Sequence, residues 1–298
     1  MRTDQEGYFW PTREQELLLK AALLKGEAAI TAWKSWAAVV DFDRLDAGSQ
    51  RLLPLLYKNL TDQNVRHPVL DVYKGFYRMN WYKNRLLCHR ITQVLRLLND
   101  HGIDALLLKG AALVSLYYKD WALRPMNDFD LLVEQDRIPK AIGLLRQNGW
   151  RPSESLPDEA DFQTRHACTL TDDSGIEFDL HWRILHESGC QEMDDAFKQS
   201  AMRIDFCGVP VSVLSHTDQL FHVLIHGVRW NAIAPLRWVP DAIMISREAE
   251  SHIDWRRLLQ EARHRRLVVS LKKSLTHLYR EFAAPIPGNV IEAMDRIK

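Results

Sequence analysis

The chain has 298 residues, 46% of them hydrophobic, which is enough for a large core and about two domains. Lys plus Arg and Asp plus Glu each number 39, so there is no overall basic charge, which argues against a duplex-DNA binder but leaves a local basic patch open. The N-terminus lacks the charged-then-apolar order of a signal peptide, and no apolar run approaches the roughly 18 residues of a membrane span. We therefore expect a cytoplasmic protein without a membrane segment.

The cysteines are far apart in the sequence and include no Cys-x-x-Cys pair. There are four of them: Cys88, Cys168, Cys190 and Cys207. This spacing argues against a structural zinc site and against a dense disulfide framework. Free thiols are the expectation for all of them.

The first of three predicted segments, residues 1–101, has the pattern of helices. The stretch "TREQELLLKAALLKG" has helical spacing of its apolar residues and stops at Gly26. A second helix, in "GSQRLLPLLYKNL", is predicted to begin at an N-cap on Ser49. A long amphipathic helix follows, with Pro68 in its first turn and Gly102 just beyond its end.

The second segment, residues 102–213, mixes strands and helices. Strands are predicted at "IDALLLKG" and "DFDLLVE", each followed by a helix, "AALVSLYYK" and then "DRIPKAIGLLRQNGW" from near Asp136. The run "RHACTLTDDSGIEFDLHWRI" predicts two strands joined by a turn, and "AMRIDFCGVPVSVLS" a hairpin around Cys207 and Gly208. This order is typical of a mixed α/β sheet.

The third segment, residues 214–298, is again predicted to be helical, beginning at an N-cap on Ser215. The fold class is therefore α+β (mixed α/β), with a small mixed-sheet core between N-terminal and C-terminal helical segments. Domain boundaries are expected at 101/102 and 213/214.

The tripeptide Asp-Phe-Asp occurs twice, at 41–43 and at 128–130, whereas about one Asp-x-Asp is expected by chance in a chain of this length. The first copy leads towards a helix, so Asp41 or Asp43 is predicted to cap a helical turn. The second copy runs into Leu-Leu-Val and is predicted to be a strand. Its aspartates, Asp128 and Asp130, would then project from one face about 6.5–7 Å apart, with Phe129 on the opposite face in the core. Such carboxylates repel each other unless a cation neutralises them, and Mg²⁺ is the natural partner.

A third carboxylate is available on the later strand "GIEFDLHWRI". Asp179 shares a face there with Glu177 and His181, and it can join the aspartate pair if the two strands are neighbours. Three such carboxylates can hold two Mg²⁺ ions about 3.5–4 Å apart. The alternative for Asp179 is an ion pair with Arg183. His181 either orients a ligand, contacts a phosphate or is a structural histidine.

Positive charge and a glycine precede the second Asp-Phe-Asp. Gly110 lies where a strand turns into a helix, a place at which free N–H groups suit a phosphate. Lys109 adds a point charge, and Arg124 offers a two-pronged contact to phosphate oxygens. The alternative is that both are ordinary surface charges.

Together these motifs resemble a known family. The run "KGAAL … Y … R-x-x-x-D-x-D-L-L-V", with "FDLHW" about fifty residues on, is similar to the uncharacterised bacterial nucleotidyltransferases of the NTP-transferase-5 type, within the polymerase-β-like superfamily. The AbiEii-type toxin nucleotidyltransferases carry a similar Lys-Gly opening. The similarity extends to "LLPLLYKNL" and to "LFHVLIHGVRW … LRWVPDAIMI … IDWRRLL", so it covers most of the chain.

The resemblance implies a nucleotidyltransferase core with Asp128, Asp130 and Asp179 as metal ligands and Gly110 in the nucleotide loop. The broader superfamily has Gly-Ser after the first strand, whereas this chain has Gly110-Ala111. Lys109 and the backbone N–H groups are expected to replace the missing serine hydroxyl.

The implied function is Mg²⁺-dependent transfer of a nucleoside monophosphate from an NTP, with ATP the first candidate, to an acceptor by a two-metal mechanism. Mn²⁺ is the alternative ion. The acceptor is open among small molecules, peptides, proteins and RNA, so nucleic acid is not excluded as a partner. Competing hypotheses are a non-catalytic module that binds a nucleotide or a partner, and a toxin-like enzyme that modifies tRNA or protein.

Four polar residues of the third segment are further candidates. They either line the far side of the cleft or form a polar network between helices: His226, Arg229, Arg237 and Asp241. The pair His222 and His226 lies one helical turn apart but lacks the glutamate of a zinc-protease motif.

Overall fold

The computed structural model of the protein describes residues 10–185, 192–227 and 236–296. Their helices are α1 (Arg13–Leu23), α2 (Gly26–Ala37), α3 (Ala47–Gln50), α4 (Leu53–Asp62), α5 (Leu70–Asp100), α6 (Lys109–Leu113), α7 (Ile138–Gln147), α8 (Asp161–Thr164), α9 (Glu192–Gln199), α10 (His216–Gly227), α11 (Trp238–Glu248), α12 (Trp255–His264), α13 (Val268–Phe282) and α14 (Gly288–Asp295). The strands are β1 (Ala105–Leu108), β2 (Asp128–Val133), β3 (Arg151–Pro152), β4 (Ala167–Thr171), β5 (Glu177–His181), β6 (Met202–Phe206) and β7 (Val209–Val213). In the described part of the chain, no helix combines the length and the apolar character that crossing a membrane requires.

The chain forms two compact units. The first, a helical unit, contains the described parts of 1–81, 122–124 and 216–298. The second, the sheet unit, contains 82–121 and 125–215. These units are not the three predicted segments, because both terminal helical segments fall in one unit and α5 contributes residues to both. The division into domains at 101/102 and 213/214 stays a prediction.

Helix starts in the helical unit follow local capping. Thr12 and Gln15 form a capping box at α1, in which each side chain accepts the backbone N–H of the other. The predicted N-cap on Ser49 is wrong: Asp46 caps α3 three residues earlier, and its carboxylate accepts from the Ser49 N–H at 3.0 Å. Asp41 caps a 3₁₀ turn, Phe42–Arg44, which confirms a capping role for the first Asp-Phe-Asp.

The sheet unit contains one seven-stranded sheet with the order β3-β4-β5-β2-β1-β7-β6. Strands β2 and β5 are parallel, as are β1 and β7, and the other neighbouring pairs are antiparallel. The predicted mixed sheet is therefore confirmed, together with the hairpin β6–β7. The three strands that carry the candidate site residues, β1, β2 and β5, are adjacent and lie within the sheet.

The core of the sheet unit lies against one face of the sheet and fixes the strand orientation. Phe129 of β2 and Phe178 of β5 are fully buried and stacked, with ring centroids 4.7 Å apart. Trp150 packs edge-on against both rings. Because successive strand side chains point to opposite faces, burying Phe129 directs its neighbours Asp128 and Asp130 to the other face. The prediction of Phe129 as a core residue is confirmed.

Candidate active site

The turn from β1 into α6 carries an unusual backbone conformation. Lys109 has φ +47°, in the left-handed region that residues with a Cβ seldom adopt. Gly110, the predicted glycine of the nucleotide loop, is a buried residue of α6, and its contact with a nucleotide stays a prediction. That helix starts at Lys109 rather than at Ala111, and after five residues it gives way to a π-helical turn, Val114–Tyr118. Strained backbone of this kind clusters at functional sites.

Strands β2 and β5 place their acidic residues side by side. In the parallel register, Asp130 lies opposite Asp179, and Asp128 lies opposite Glu177. The two strands are therefore neighbours, which was the condition for Asp179 to join the aspartate pair. Asp128 is exposed at the start of β2, whereas Asp130 is buried with 6% of its surface accessible. The face opposite Phe129 thus carries four carboxylates in two facing pairs.

Two nitrogen atoms contact a single oxygen of Asp130. Lys109 Nζ lies 2.6 Å from Oδ1, and His181 Nε2 lies 3.0 Å from the same atom. Burial raises the pKa of the Asp130 carboxyl, but the Lys109 charge and the His181 hydrogen bond outweigh burial and hold that pKa well below its usual range. Asp130 is therefore a buried carboxylate that stays ionised, with its positive partner 24% exposed.

The chemistry of Asp130 fixes what His181 does. An ionised carboxylate only accepts hydrogen bonds, so Nε2 of His181 must be the donor. The other ring nitrogen, Nδ1, is buried and has no hydrogen-bond partner among the described residues. His181 is 1% exposed and lies next to Asp130, where it holds one orientation of that carboxylate.

Asp179 is held in a similar way. Its Oδ1 accepts a 2.6 Å hydrogen bond from the hydroxyl of Thr169, which lies opposite it on β4. One potential ligand atom each from Asp130, Asp179 and His181 lies within 4.8 Å of the other two. The described residues outside this trio form no comparable group of His, Cys, Asp and Glu.

The sequence did not single out Thr169 or the pairing of Glu177 with Asp128. The alternation in "ACTLT" does put Thr169 and Thr171 on one face of a strand, but only the β4–β5 register identifies the carboxylate that Thr169 meets. Arg183, the alternative partner for Asp179, donates to the carbonyl oxygen of Phe162 at 2.6 Å.

Arg124 and Asp241 meet in the helical unit. The Arg124 guanidinium donates from Nε and from its second terminal nitrogen to the two carboxylate oxygens of Asp241, at 2.8 and 2.9 Å. Both side chains are buried. The contact between Arg124 and a phosphate stays a prediction, and it requires the guanidinium to be shared with Asp241 or released from it.

Two of the three remaining candidate residues of the third segment lie within the described part of the chain. His226 is exposed near the end of α10, and Arg237 is the residue that precedes α11. Arg229 lies outside the described residues, as does Cys190. That these side chains line a cleft stays a prediction.

Several solved structures are similar to this chain at low identity. The antibiotic-resistance factor ANT(2'')-Ia in solution matches at 14% identity with a TM-score of 0.44, over 65% of this chain and 99% of that one. A crystal structure of ANT(2'')-Ia with adenylyl-2''-tobramycin matches at 14% and 0.42, over 61% and 97%. An antigenic nucleotidyltransferase-like protein from Paracoccidioides brasiliensis matches at 16% and 0.43, over 69% and 95%. Likenesses of this size carry no argument about substrates.

No curated protein matches the chain. A family model does, and its match begins before α4 and ends just after α13. The model describes an uncharacterised nucleotidyltransferase and covers residues 44–283. Because that range is most of the chain, the protein belongs to this nucleotidyltransferase family.

Proposed function

We propose that the protein transfers a nucleoside monophosphate from an NTP to an acceptor, using the carboxylates of β2 and β5. The observation that carries the proposal is the register that sets Asp130 beside Asp179, with Lys109 and His181 on Asp130. In a chain of the nucleotidyltransferase family, an ionised buried carboxylate beside a second one supports a phosphoryl-transfer site.

The donor set fits a hard divalent cation. Asp130 and Asp179, with Asp128 at the strand start, would hold Mg²⁺, or Mn²⁺ as the alternative, through carboxylate oxygens, while His181 keeps its hydrogen bond to Asp130. Once bound, such ions supply charge neutralisation at the phosphoryl oxygens and lower the pKa of an acceptor hydroxyl. The number of ions stays a prediction.

The protein's own groups prepare this face. His181 and Thr169 each fix one carboxylate by a hydrogen bond, so that little reorganisation is needed when a ligand arrives. Lys109 already lies beside the site, and its side chain is 24% exposed, so it would be within reach of a triphosphate. Gly110 and Ala111 follow it and would line the nucleotide with backbone groups. Arg124 would contact a phosphate only if its guanidinium were shared with Asp241 or released from it.

ATP is the first nucleotide to test, and the acceptor is any hydroxyl-bearing small molecule, peptide, protein or RNA. The experiment incubates wild type with α-labelled ATP, then with the other NTPs, in Mg²⁺ or Mn²⁺ and a panel of acceptors. Mass spectrometry of the acceptors identifies an added nucleotide, and pyrophosphate release is measured in parallel.

The variant Asp130→Asn should reduce label transfer by about 100-fold or more, since the metal ion that this carboxylate would hold is worth several kcal/mol of charge stabilisation. The matched control is Asp43→Asn, which changes an exposed aspartate of the other Asp-Phe-Asp and should leave transfer unchanged. Asp179→Asn tests the same site and leaves the ion pair between Lys109 and the buried Asp130 intact. Equal transfer by wild type and both site variants would contradict the proposal.

A non-catalytic binder gives a different result in the same experiment. It would take up nucleotide in calorimetry without releasing pyrophosphate with any acceptor. A toxin-like enzyme would arrest growth on expression, and Asp130→Asn would relieve the arrest.

A further inference from the structure

Two cysteines of the sheet unit are in direct contact. Cys88 lies in the middle of α5, and Cys207 lies in the turn between β6 and β7. Their Sγ atoms are 2.7 Å apart, although the residues are separated by 119 positions in the chain. That distance exceeds the roughly 2.05 Å of a disulfide bond by only about 0.7 Å. A small movement of either side chain would therefore bring the sulfurs to bonding distance.

The backbone at Cys207 is unfavourable for a cysteine. The two central residues of the β6–β7 turn, Cys207 and Gly208, have φ +51° and +80°. Positive φ at both positions is typical of a type I′ turn, which favours Asn-Gly or Asp-Gly. Asp205 helps to hold the turn, because its carboxylate accepts the Gly208 N–H at 2.8 Å. A cysteine where asparagine would fit better suggests that the thiol itself has a role.

The two thiols have complementary environments. Cys207 is exposed, whereas Cys88 is buried at 3% accessibility within the core of the sheet unit. Burial raises the pKa of the Cys88 thiol, and the hydrogen bond to Cys207 adds to this effect. The positive charge of Arg85, one helical turn before Cys88, opposes it. An oxidant in solution can therefore reach Cys207 first, and Cys88 is held in place as the second thiol.

We propose that Cys88 and Cys207 are a redox-modification site that forms a reversible disulfide by exchange with a low-molecular-weight disulfide. In the first step the Cys207 thiolate attacks one sulfur of that reagent, which gives a mixed disulfide and releases one thiolate. In the second step Cys88 attacks Sγ of Cys207, and the second reagent thiol leaves with the proton from Cys88. The reagent is reduced by two electrons, and the two cysteines are oxidised by two.

The bond would connect α5 to the hairpin β6–β7. Strand β7 pairs with β1, and β1 leads into the turn at Lys109. The disulfide would therefore restrain β7, the strand next to the one that enters the candidate site. This inference does not depend on the proposed function. It predicts a redox-dependent stability whether or not the protein transfers nucleotides.

The test treats the folded full-length protein with oxidised glutathione, quenches with an alkylating reagent and maps the peptides without reduction. Wild type should give a cross-linked peptide pair containing Cys88 and Cys207, and dithiothreitol should restore both free thiols. Because the closed loop is long, the oxidised form should melt roughly 5–10 °C higher than the reduced form.

The control variant is Cys207→Asn, which suits the turn and removes the reactive thiol. It should fold at least as stably as reduced wild type and show no redox-dependent melting shift. Cys88→Ser should stop at a mixed disulfide on Cys207. A wild type that keeps Cys88 alkylatable after oxidation, or that cross-links Cys207 to another cysteine, would overturn the proposal.

Discussion

Replacing Lys109 by methionine should destabilise the protein, because it removes the cation that compensates a buried carboxylate. Breaking a buried ion pair from one side costs about 3–5 kcal/mol. Lys109 is 24% exposed and His181 still donates to Asp130, so we expect a loss of about 2–3 kcal/mol at pH 7.5. Methionine keeps the left-handed backbone strain at position 109, which leaves the charge as the main difference.

The loss should depend on pH with a definite sign. In wild type the folded pKa of Asp130 is below its unfolded value, so its contribution is complete above about pH 4 and is lost as the pH falls through the folded pKa. Without Lys109, less opposes the effect of burial, so the pKa of Asp130 is higher than in wild type and the variant takes up a proton at a higher pH. The stability gap between wild type and variant should therefore narrow as the pH is lowered from 7.5 to 4 and below.

The assay is urea unfolding followed by tryptophan fluorescence, in EDTA so that no divalent cation replaces the ammonium. The double variant Lys109→Met, Asp130→Asn should recover part of the loss, because no unpaired buried charge remains. Lys83→Met, an exposed lysine on α5, serves as control and should change stability by less than about 0.5 kcal/mol. A single variant as stable as wild type, or a gap that widens at low pH, would refute the reasoning.

Three other substitutions should show effects of different size in the same unfolding assay. Arg124→Met leaves the buried carboxylate of Asp241 without its two-pronged partner and should cost about 3–5 kcal/mol, so wild-type stability would contradict the importance of that pair. Asp46→Ala removes the acceptor oxygens at the start of α3 and should cost about 1–2 kcal/mol of stability. The control substitution Asp43→Ala, at an exposed aspartate, should leave the stability unchanged. Phe129→Ala opens a cavity beside the stacked ring of Phe178 and should cost about 3–5 kcal/mol, and a change below 1 kcal/mol would mean that the core closes around the gap.

The sheet and most of its strands were predictable because local patterns specify them. Alternation and apolar runs identified β1, β2, β4, β5 and the hairpin β6–β7, and the Phe129 orientation followed from strand geometry. The start of α3 was not predicted correctly, since "DAGS" offers both Asp46 and Ser49 as caps and the earlier one is used. Capping competition of this kind depends on where the chain enters the helix.

The candidate site was predictable in its residue types but not in its pairings. Asp128, Asp130 and Asp179 could be proposed from strand periodicity, whereas the contact between Lys109 and Asp130 depends on how β1 pairs with β2. The same holds for Arg124 and Asp241, which are 117 positions apart. Left-handed φ at Lys109 had no sequence signal, because lysine is not a residue type that favours that conformation.

Both edges of the seven-stranded sheet bear on how the protein behaves at high concentration. An unpaired edge strand can template addition of a strand from another chain, which leads to aggregation. One edge, β3, has only two residues, and Pro152 removes a backbone donor there. At the other edge, β6 exposes Arg203 and Asp205, which disfavour a second copy stacking edge to edge. Lengthening β3 or neutralising the charges of Arg203 and Asp205 should therefore make concentrated solutions of the protein aggregate sooner.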